Sequence, residues 1–574
     1  MAIKDTILPR GGGSNGDAPI LIKKGDWVIY TVYAMHRRKD LFGEDADEFR
    51  PERWVKNDLT WVFDEEITTK WRKEIAQSDQ DITPKMMDWV IKELQWKAGC
   101  LKETGFLRVF DAGVVKSDTA VSKDVQQALK EAVKPFENVP EDQKDYHPGS
   151  DNKVVDLVHP SLFPVIYGQT RVLPDRVITL DDCLSSVTQG DVLPVPSEEE
   201  TVLVQDRSQW SSKTIFSNKF QWLPCDVELL DDTRCRIVSY INNAHPVHHK
   251  GLYEVVEKII ARTIPLWNKS LSESGDKRIP WESVEYGEHP DPEPQEPEGD
   301  DHDDEAFWHI HQQWADTRPI ILPEPGEFAI PQERKTLDLR THFPDTKLQV
   351  IVKLANIELT PDNPSYEGGT WHIEGQLNER ICATAIYYYD SENIIENTLA
   401  FRQRGMEDMI DIGYEQCQFQ FLQAIYGFND EVIGNGDTNV TQNIGAVVCK
   451  EGRLLTFPNT VQHRVSSFSL ADPSKPGHRK ILALFLVDPH RRVISSANVP
   501  PQRDDWGDER QNAVDQALSQ LPRELRDIVQ SDMEPLISME KAKEYRLELM
   551  EERGLKSEEN NEKFEIGDFS LCEH

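Results

Sequence analysis

The spacing of apolar positions changes character along the chain, and the changes divide it. Between Leu348 and Val487 the apolar residues fall in short runs rich in β-branched and aromatic side chains: LQVIVKLANIEL, ICATAIYYY, AVVC, RLLTF and KILALFLV. Turn signals lie among them, at Pro361-Asp362-Asn363-Pro364, Gly368-Gly369 and Glu451-Gly452. Runs of this length and composition predict an all-β unit of short strands, and a jelly roll is one of the few ways to close such a set.

From about Phe63 to Asn268 the pattern is mixed. Thr83-Pro84 has the chemistry of a helix start, and Met87, Val90, Ile91, Leu94 and Ala98 recur on one face up to Gly99, which predicts the end. Ser122 opens a second helix carrying Val125, Ala128, Leu129, Ala132 and Val133. Phe220–Glu228 and Arg236–Ile241 read as strands around the Asp231-Asp232-Thr233 turn, and a helix from Leu252 is expected to stop before Pro265. Beyond Pro500 the sequence SMEKAKEYRLELMEERG predicts one long charged helix, with the last dozen residues frayed. The expected fold class is α+β. A double-stranded β-helix (jelly-roll) core over 346–500 follows a mixed helix and strand region, 57–270, and a linker, 271–345; a charged C-terminal helix and tail occupy 501–574.

Charge changes this picture little but excludes partners. The formal net charge of −37 over 574 residues argues against nucleic acid or an anionic membrane, both of which are bound through clustered Lys and Arg. Eleven acidic residues lie between Glu285 and Glu305, among repeated prolines and without Lys or Arg, which reads as a solvated loop; partner docking or cation collection is the rival. Eight cysteines with no CxxC pair suit reduced thiols in an intracellular compartment. Without a run of eighteen apolar residues, and with a polar start, a cytoplasmic location is expected.

The chemistry concentrates in the all-β stretch. His372 and Glu374 are two apart in WHIEG, so on a strand both leave by one face. Two such ligands and a histidine from a distant strand make the two-His-one-carboxylate triad of non-haem Fe(II). His463, in TFPNTVQHRVSSF, is the candidate third ligand. An isolated HxE pair is usually a hydrogen-bonded structural histidine, so the surroundings decide. The order His463-x-Val465, Gly477-x-Arg479, then the apolar run Ile481–Val487 resembles that of 2-oxoglutarate oxygenases, especially prolyl-hydroxylase-like members. ATAIYYYDSEN resembles the strand after their first metal ligands, and places Tyr388, sixteen positions after His372, on the tyrosine that bonds the cosubstrate carboxylate.

That resemblance implies Fe(II), 2-oxoglutarate as cosubstrate and O2, with His372, Glu374 and His463 as catalytic metal ligands and Arg479 and Tyr388 binding the cosubstrate. A guanidinium suits a carboxylate inside an apolar barrel because its planar fork gives two charge-assisted bonds; otherwise Arg479 would be an ordinary surface base beside Lys480. Glu374 departs from the commoner aspartate, and a carboxylate here disfavours halogenation. Hydroxylation or oxidative demethylation of an organic substrate, a small metabolite or a protein side chain, is the expectation. The rivals are a cupin-like metal enzyme doing non-oxidative work, which would not need Arg479, and a non-catalytic binding barrel, which would not need the triad.

A broader resemblance follows from VFDEEITTKWRKE, HPSLFPVIYG, KFQWLPCDVE, SYINNAHP and YEGGTWHIEGQLNERICATAIYYYDSENI, which are similar to a fungal family filed as domain of unknown function 4246. Residues 1–56 stand apart: LPRGGG and MHRRKDLFGEDADEFRPERW resemble the stretch of fungal cytochrome P450 enzymes that ends in the PERW box. The haem-ligating cysteine loop and the Glu-x-x-Arg helix of that family are missing, so the segment reads as a fused or mis-joined fragment without haem. Haem oxidation is a minor alternative. His245, His248 and His249 read as structural, and His309 and His311, alternating in AFWHIHQQW, lack a carboxylate at useful spacing. Hydrolase-elbow, phosphate-loop and HExxH patterns are missing.

Overall fold

The computed structural model describes residues 6–12, 18–22, 59–77, 82–197, 216–273, 282–296, 304–405, 412–415, 418–428, 438–506, 522 and 536–567. It divides into two compact units, Met1–Thr68 and Thr69–His574. In the first, β1 (Thr6–Gly12) and β2 (Ala18–Ile22) pair antiparallel. Residues 23–58, with the PERW box at Pro51–Trp54, lie outside the described residues.

The second unit is mixed α/β. Helix α1 (Pro84–Thr104) starts as its sequence dictates, with the Thr83 hydroxyl accepting the Met86 N–H at 3.2 Å and Pro84 in the first turn. It does not stop at Gly99. The helix ends where Gly105 takes a left-handed φ of 76°, since a mid-helix glycine costs only about 1 kcal/mol while a left-handed one closes the turn.

A hairpin, β3 (Leu107–Phe110) and β4 (Val114–Ser117), leads to helix α2 (Lys123–Glu137), capped by Ser122 and burying Leu129 and Val133. After β5 (Val154–Val158) comes a second hairpin, β6 (Cys225–Asp231) and β7 (Arg234–Ile237), turning at the predicted aspartates. Helix α3 (Lys250–Leu271) runs through Pro265 rather than ending before it. A proline inside a helix costs about 3 kcal/mol. Ile259, Ile260, Ile264, Leu266 and Trp267, on both sides of it, are fully buried, and each contributes roughly 1.5–3 kcal/mol, so packing outweighs the break. AFWHIHQQW lies in helix α4 (Asp304–Asp316), not a strand, so His309 and His311 do not share a strand face.

The further strands of the two main sheets are β8 (Leu348–Leu359), β9 (Ile381–Glu392), β10 (Thr398–Arg404), β11 (Thr441–Val448), β12 (Leu454–Pro458), β13 (Gln462–Val465) and β14 (Gly477–Val487). The five predicted strand runs are therefore all strands. A nine-stranded antiparallel sheet has the order β7-β6-β8-β14-β9-β12-β4-β3, with β5 also on β8. It thus takes strands from both the 57–270 and 346–500 regions. A smaller sheet, β11-β10-β13, is also antiparallel.

Side-chain alternation assigns the faces. Leu348, Val350, Val352 and Leu354 of β8, with Leu482, Leu484 and Leu486 of β14 and Ala383, Ala385, Tyr387 and Tyr389 of β9, pack in one core with α2 and α3. The opposite face looks onto the smaller sheet. There Ile386, Tyr388, Leu455 and Phe457 join Leu399, Phe401 and Val447 in a second core. The chain ends in helix α5 (Met539–Glu565), longer than its sequence suggested and running into residues expected to fray, while residues 568–574 lie outside the described residues.

Candidate metal centre

His463 is carried by β13, opposite Phe401 of β10, and faces the space between the sheets, where it is only 3% exposed. His372 is fixed to it by backbone: the two residues form an antiparallel bridge, with N–H···O distances of 3.2 and 3.0 Å. The expected strand through Glu374 is not formed. After the single bridging residue His372 the chain bends, and Asn459 holds the bend by accepting the Glu374 N–H at 2.8 Å and donating to the Glu374 carbonyl at 2.9 Å. Gly375 follows with a φ of 70°, where a Cβ would come within 2.6 Å of the Ile381 side chain and 2.7 Å of the Glu379 carboxylate. Only glycine fits that turn.

The result brings all three predicted ligands together. Glu374 Oε1 is 3.3 Å from His463 Nε2 and 3.8 Å from His372 Nε2, and one ligand atom from each residue lies within 4.8 Å of the others. His372 Nδ1 is 2.8 Å from the Thr370 carbonyl, which can only accept, so Nδ1 bears the proton and Nε2 presents its lone pair to the site. Burial and the neighbouring His463 lower His372 to about 4, although its side chain keeps 37% of its surface at the open side of the site. Burial alone would raise Glu374; the hydrogen bond from His463 and the charges of His372, His463 and Lys353 outweigh it and hold the carboxyl at about 2. At neutral pH the apo site is thus one carboxylate with a neutral His372 beside it. Two imidazoles and one carboxylate converging between the sheets are a donor set that fits non-haem Fe(II) with open positions. His463 Nδ1 is buried without a protein partner.

Arg479 and Tyr388 project from β14 and β9 into the same interior. The guanidinium, 3% exposed, donates through Nη1 to Asn397 Oδ1 at 2.6 Å, lies over the rings of Phe468 and Tyr388, and leaves Nε unpartnered. The Tyr388 hydroxyl accepts from Cys449 Sγ at 3.3 Å. Gly477 has its own reason: a Cβ there would stand 2.5 Å from the Asn393 carbonyl oxygen and 2.8 Å from that of Glu392, where β9 ends against β14.

Two contributors escape the motif. Asn459 is one. The other is Lys353, in the middle of β8 opposite Ala483. By alternation it shares the interior face with Ile351, Ala355 and Ile357, and its charge reaches both His372 and Glu374. Arg479, opposite Ile357, lies four residues further along, about 13 Å in strand rise. A lysine within LQVIVKLANIEL was the available signal.

A second group, His147, Asp156 and His159, also has ligand atoms within 4.8 Å. Protein groups already engage one of its carboxylate oxygens, while Asp156 Oδ1 is buried without a partner. His147 Nδ1 is 2.8 Å from Asp156 Oδ2, Arg546 Nη1 is 3.5 Å from the same oxygen, and His159 Nδ1 accepts the Ser161 N–H. Burial pushes Asp156 up, but the charge of His159 and the bond from His147 hold it far below the carboxylate range. His245 and His248 stack at 4.0 Å while His249 Nδ1 accepts the His245 N–H, a structural arrangement.

With this geometry in view, comparison with known proteins separates two parts of the chain. The model of a family described as a protein of unknown function (DUF4246) matches residues 84–510. The chain belongs to the DUF4246 family. The triad, Arg479, Tyr388 and Lys353 all fall inside the DUF4246 segment. A cytochrome P450 model matches only residues 15–70. There the chain is 67% identical over 63 residues to cytochrome P450 monooxygenase himC of Aspergillus japonicus, and 67% identical over 63 residues to cytochrome P450 monooxygenase FPY7 of Fusarium mangiferae. Each match spans 11% of this chain, and it covers 11% and 12% of those enzymes, respectively. Among solved structures, IDO from Bacillus thuringiensis is similar over 68% of this chain and 93% of that one, at 8% identity and a TM-score of 0.21. A bsmA homolog from Methylobium petroleophilum covers 25% and 42%, at 10% identity and a TM-score of 0.15. Among the described residues no helix is long and apolar enough to cross a membrane.

Proposed function

We propose that this DUF4246 protein is an Fe(II)- and 2-oxoglutarate-dependent oxygenase that hydroxylates or oxidatively demethylates an organic substrate, and that its two facing sheets form a jelly-roll barrel around the iron. The observation that carries the reading is the convergence of His372 Nε2, Glu374 Oε1 and His463 Nε2 in the interior between the sheets, with buried Arg479 on the same inner face.

Bound Fe(II) would supply the open coordination sites at which a keto acid and oxygen meet. The chain supplies the rest. The His372–His463 backbone bridge sets the two imidazoles before any metal arrives, and Thr370 fixes the tautomer of one of them. Arg479 offers a desolvated guanidinium for the distal carboxylate of the cosubstrate, held in place by Asn397 and two aromatic rings. Aliphatic and aromatic side chains around it exclude water, which strengthens every charge interaction inside. The P450-like segment supports no haem reading, because it represents about a tenth of those enzymes.

The test is anaerobic addition of Fe(II) and 2-oxoglutarate to the purified protein. A visible charge-transfer band should appear, and succinate should form once oxygen is admitted. Identical behaviour of wild type and His372→Ala in both assays would reject the proposal.

A further inference from the structure

Helix α5 reaches the candidate metal centre from the far end of the sequence. Along its length it is tied to the body by a succession of polar anchors. Arg546, almost fully buried, makes two bonds to the Asp145 carboxylate at 2.6 and 2.9 Å. Arg553 pairs with the buried Glu379 and stacks on Trp222 with its guanidinium carbon 3.8 Å from the ring centre. Lys556 donates to the Phe216 carbonyl at 3.1 Å. The last turn ends in Glu565, whose carboxylate pairs with Arg402 at 2.5 Å and whose carbonyl accepts the Val440 N–H at 2.7 Å.

Between these anchors sits Asn561. Its Nδ2 donates to the carbonyl of Trp371 at 2.9 Å, and its Oδ1 accepts from Gln462 Nε2 at 2.7 Å. Trp371 immediately precedes His372, and Gln462 immediately precedes His463. One side-chain amide therefore ties together the two segments that carry the histidine pair. Arg402 closes the ring of contacts by donating to Gln462 Oε1 at 2.6 Å and lying over the Trp371 indole at 4.8 Å.

We propose that Asn561 is a positioning residue for the metal centre and that α5 acts as a strap, so that the site is set to its working geometry only when the C-terminal helix is docked. This rests on the reading of His372, Glu374 and His463 as metal ligands. An amide suits the task because it donates and accepts at once; aspartate keeps the acceptor toward Gln462 and places a carboxylate oxygen against the Trp371 carbonyl, and alanine removes both contacts. Groups that orient ligands in this way typically alter metal affinity by roughly 10- to 100-fold.

The experiment uses the full chain under anaerobic conditions, with Co(II) as the probe, and follows its visible ligand-field bands. Wild type is expected to bind with a His372-dependent spectrum. Asn561→Ala should bind roughly 10- to 100-fold more weakly with a changed band pattern, while the metal-free protein keeps its wild-type circular dichroism; Asn561→Gln, which restores an amide, should recover part of the affinity. If Asn561→Ala fails to fold, Asn561→Asp reads the same contact. Wild-type affinity and spectrum in every folded Asn561 variant overturn the strap and leave the metal site standing. If wild type and His372→Ala give the same Co(II) response, the metal reading falls and the strap with it.

Discussion

His372 and His463, ninety-one residues apart, stand directly opposite each other and exchange both backbone hydrogen bonds, with ring centres 4.3 Å apart. Their separation is therefore set by the backbone and not by a metal. His372→Ala trims a ring at the open side of the site while leaving the bridge intact, so metal-free stability should change by less than about 1 kcal/mol. Metal binding should nonetheless be lost. His463→Ala removes a buried partner of Glu374 and should cost about 1–3 kcal/mol as well. Chemical unfolding with chelator present, beside a Co(II) titration, separates the two effects.

Asn459 predicts a different profile. It bonds both backbone groups of Glu374 and also donates to the Ile381 carbonyl at 3.1 Å, but touches none of the ligand atoms. Asn459→Ala leaves these part-buried groups without a partner, at about 1–3 kcal/mol, and frees the bend that aims the carboxylate. Metal affinity should fall roughly 10- to 100-fold, as for other groups that orient a ligand. Unchanged affinity in a folded variant would show that the bend holds without it.

Buried Arg479 and part-buried Lys353 both offer a cation to a cosubstrate carboxylate, and substitution distinguishes them. Arg479→Met should leave metal binding within about threefold and weaken 2-oxoglutarate binding by roughly 2–3 kcal/mol, the scale of a charge-assisted bond. Lys353→Met should act mainly on the metal site, because its charge reaches Glu374 and His372. The measurement is 2-oxoglutarate titration of the Fe(II) complex under anaerobic conditions. The reverse order of effects would move the carboxylate to Lys353.

The strands of the large sheet were legible because their residues report burial directly: β8 spans Leu348–Leu359, the very run read from the sequence. His463 was expected on a strand distant from His372, because the triad calls for one, and β13 carries it. Helix ends were legible where a side chain makes the cap, as Thr83 and Ser122 do. They were misjudged where tertiary contacts decide, as at Pro265, whose cost is met by apolar packing on both sides, and at Gly99, where the true stop is Gly105. Glu374 does lie beside both histidines, but not through the strand geometry read from WHIEG. Its direction depends on Asn459, eighty-five positions away, and no local periodicity encodes that contact. Asn561 is further still from either histidine.

Acid should destabilise the metal-free protein well above the carboxylate range. His159 is pushed far below the ordinary histidine value by burial, and burial with the nearby His245 and His248 lowers His249 to about 4, the same value as His372. A folded-state pKa below that of the unfolded chain means that the unfolded state takes up protons first as the pH falls. The stability these neutral rings contribute is therefore complete above about 6.5 and drains away toward 4. Glu374, held at about 2, keeps its contribution through that whole window and loses it only below about 4.5, so it does not set the slope there. Glu257, raised by burial, acts in the opposite sense, gaining as the pH falls toward its ordinary value, and offsets part of the loss at the acid end of the window. Urea midpoints measured with chelator at pH 7, 6 and 5 should fall steadily. His249→Gln, which removes one titrating ring and keeps an acceptor for the His245 N–H, should flatten the dependence. A wild-type midpoint that holds or rises from pH 7 to 5 would mean that these histidines are not kept neutral by the fold.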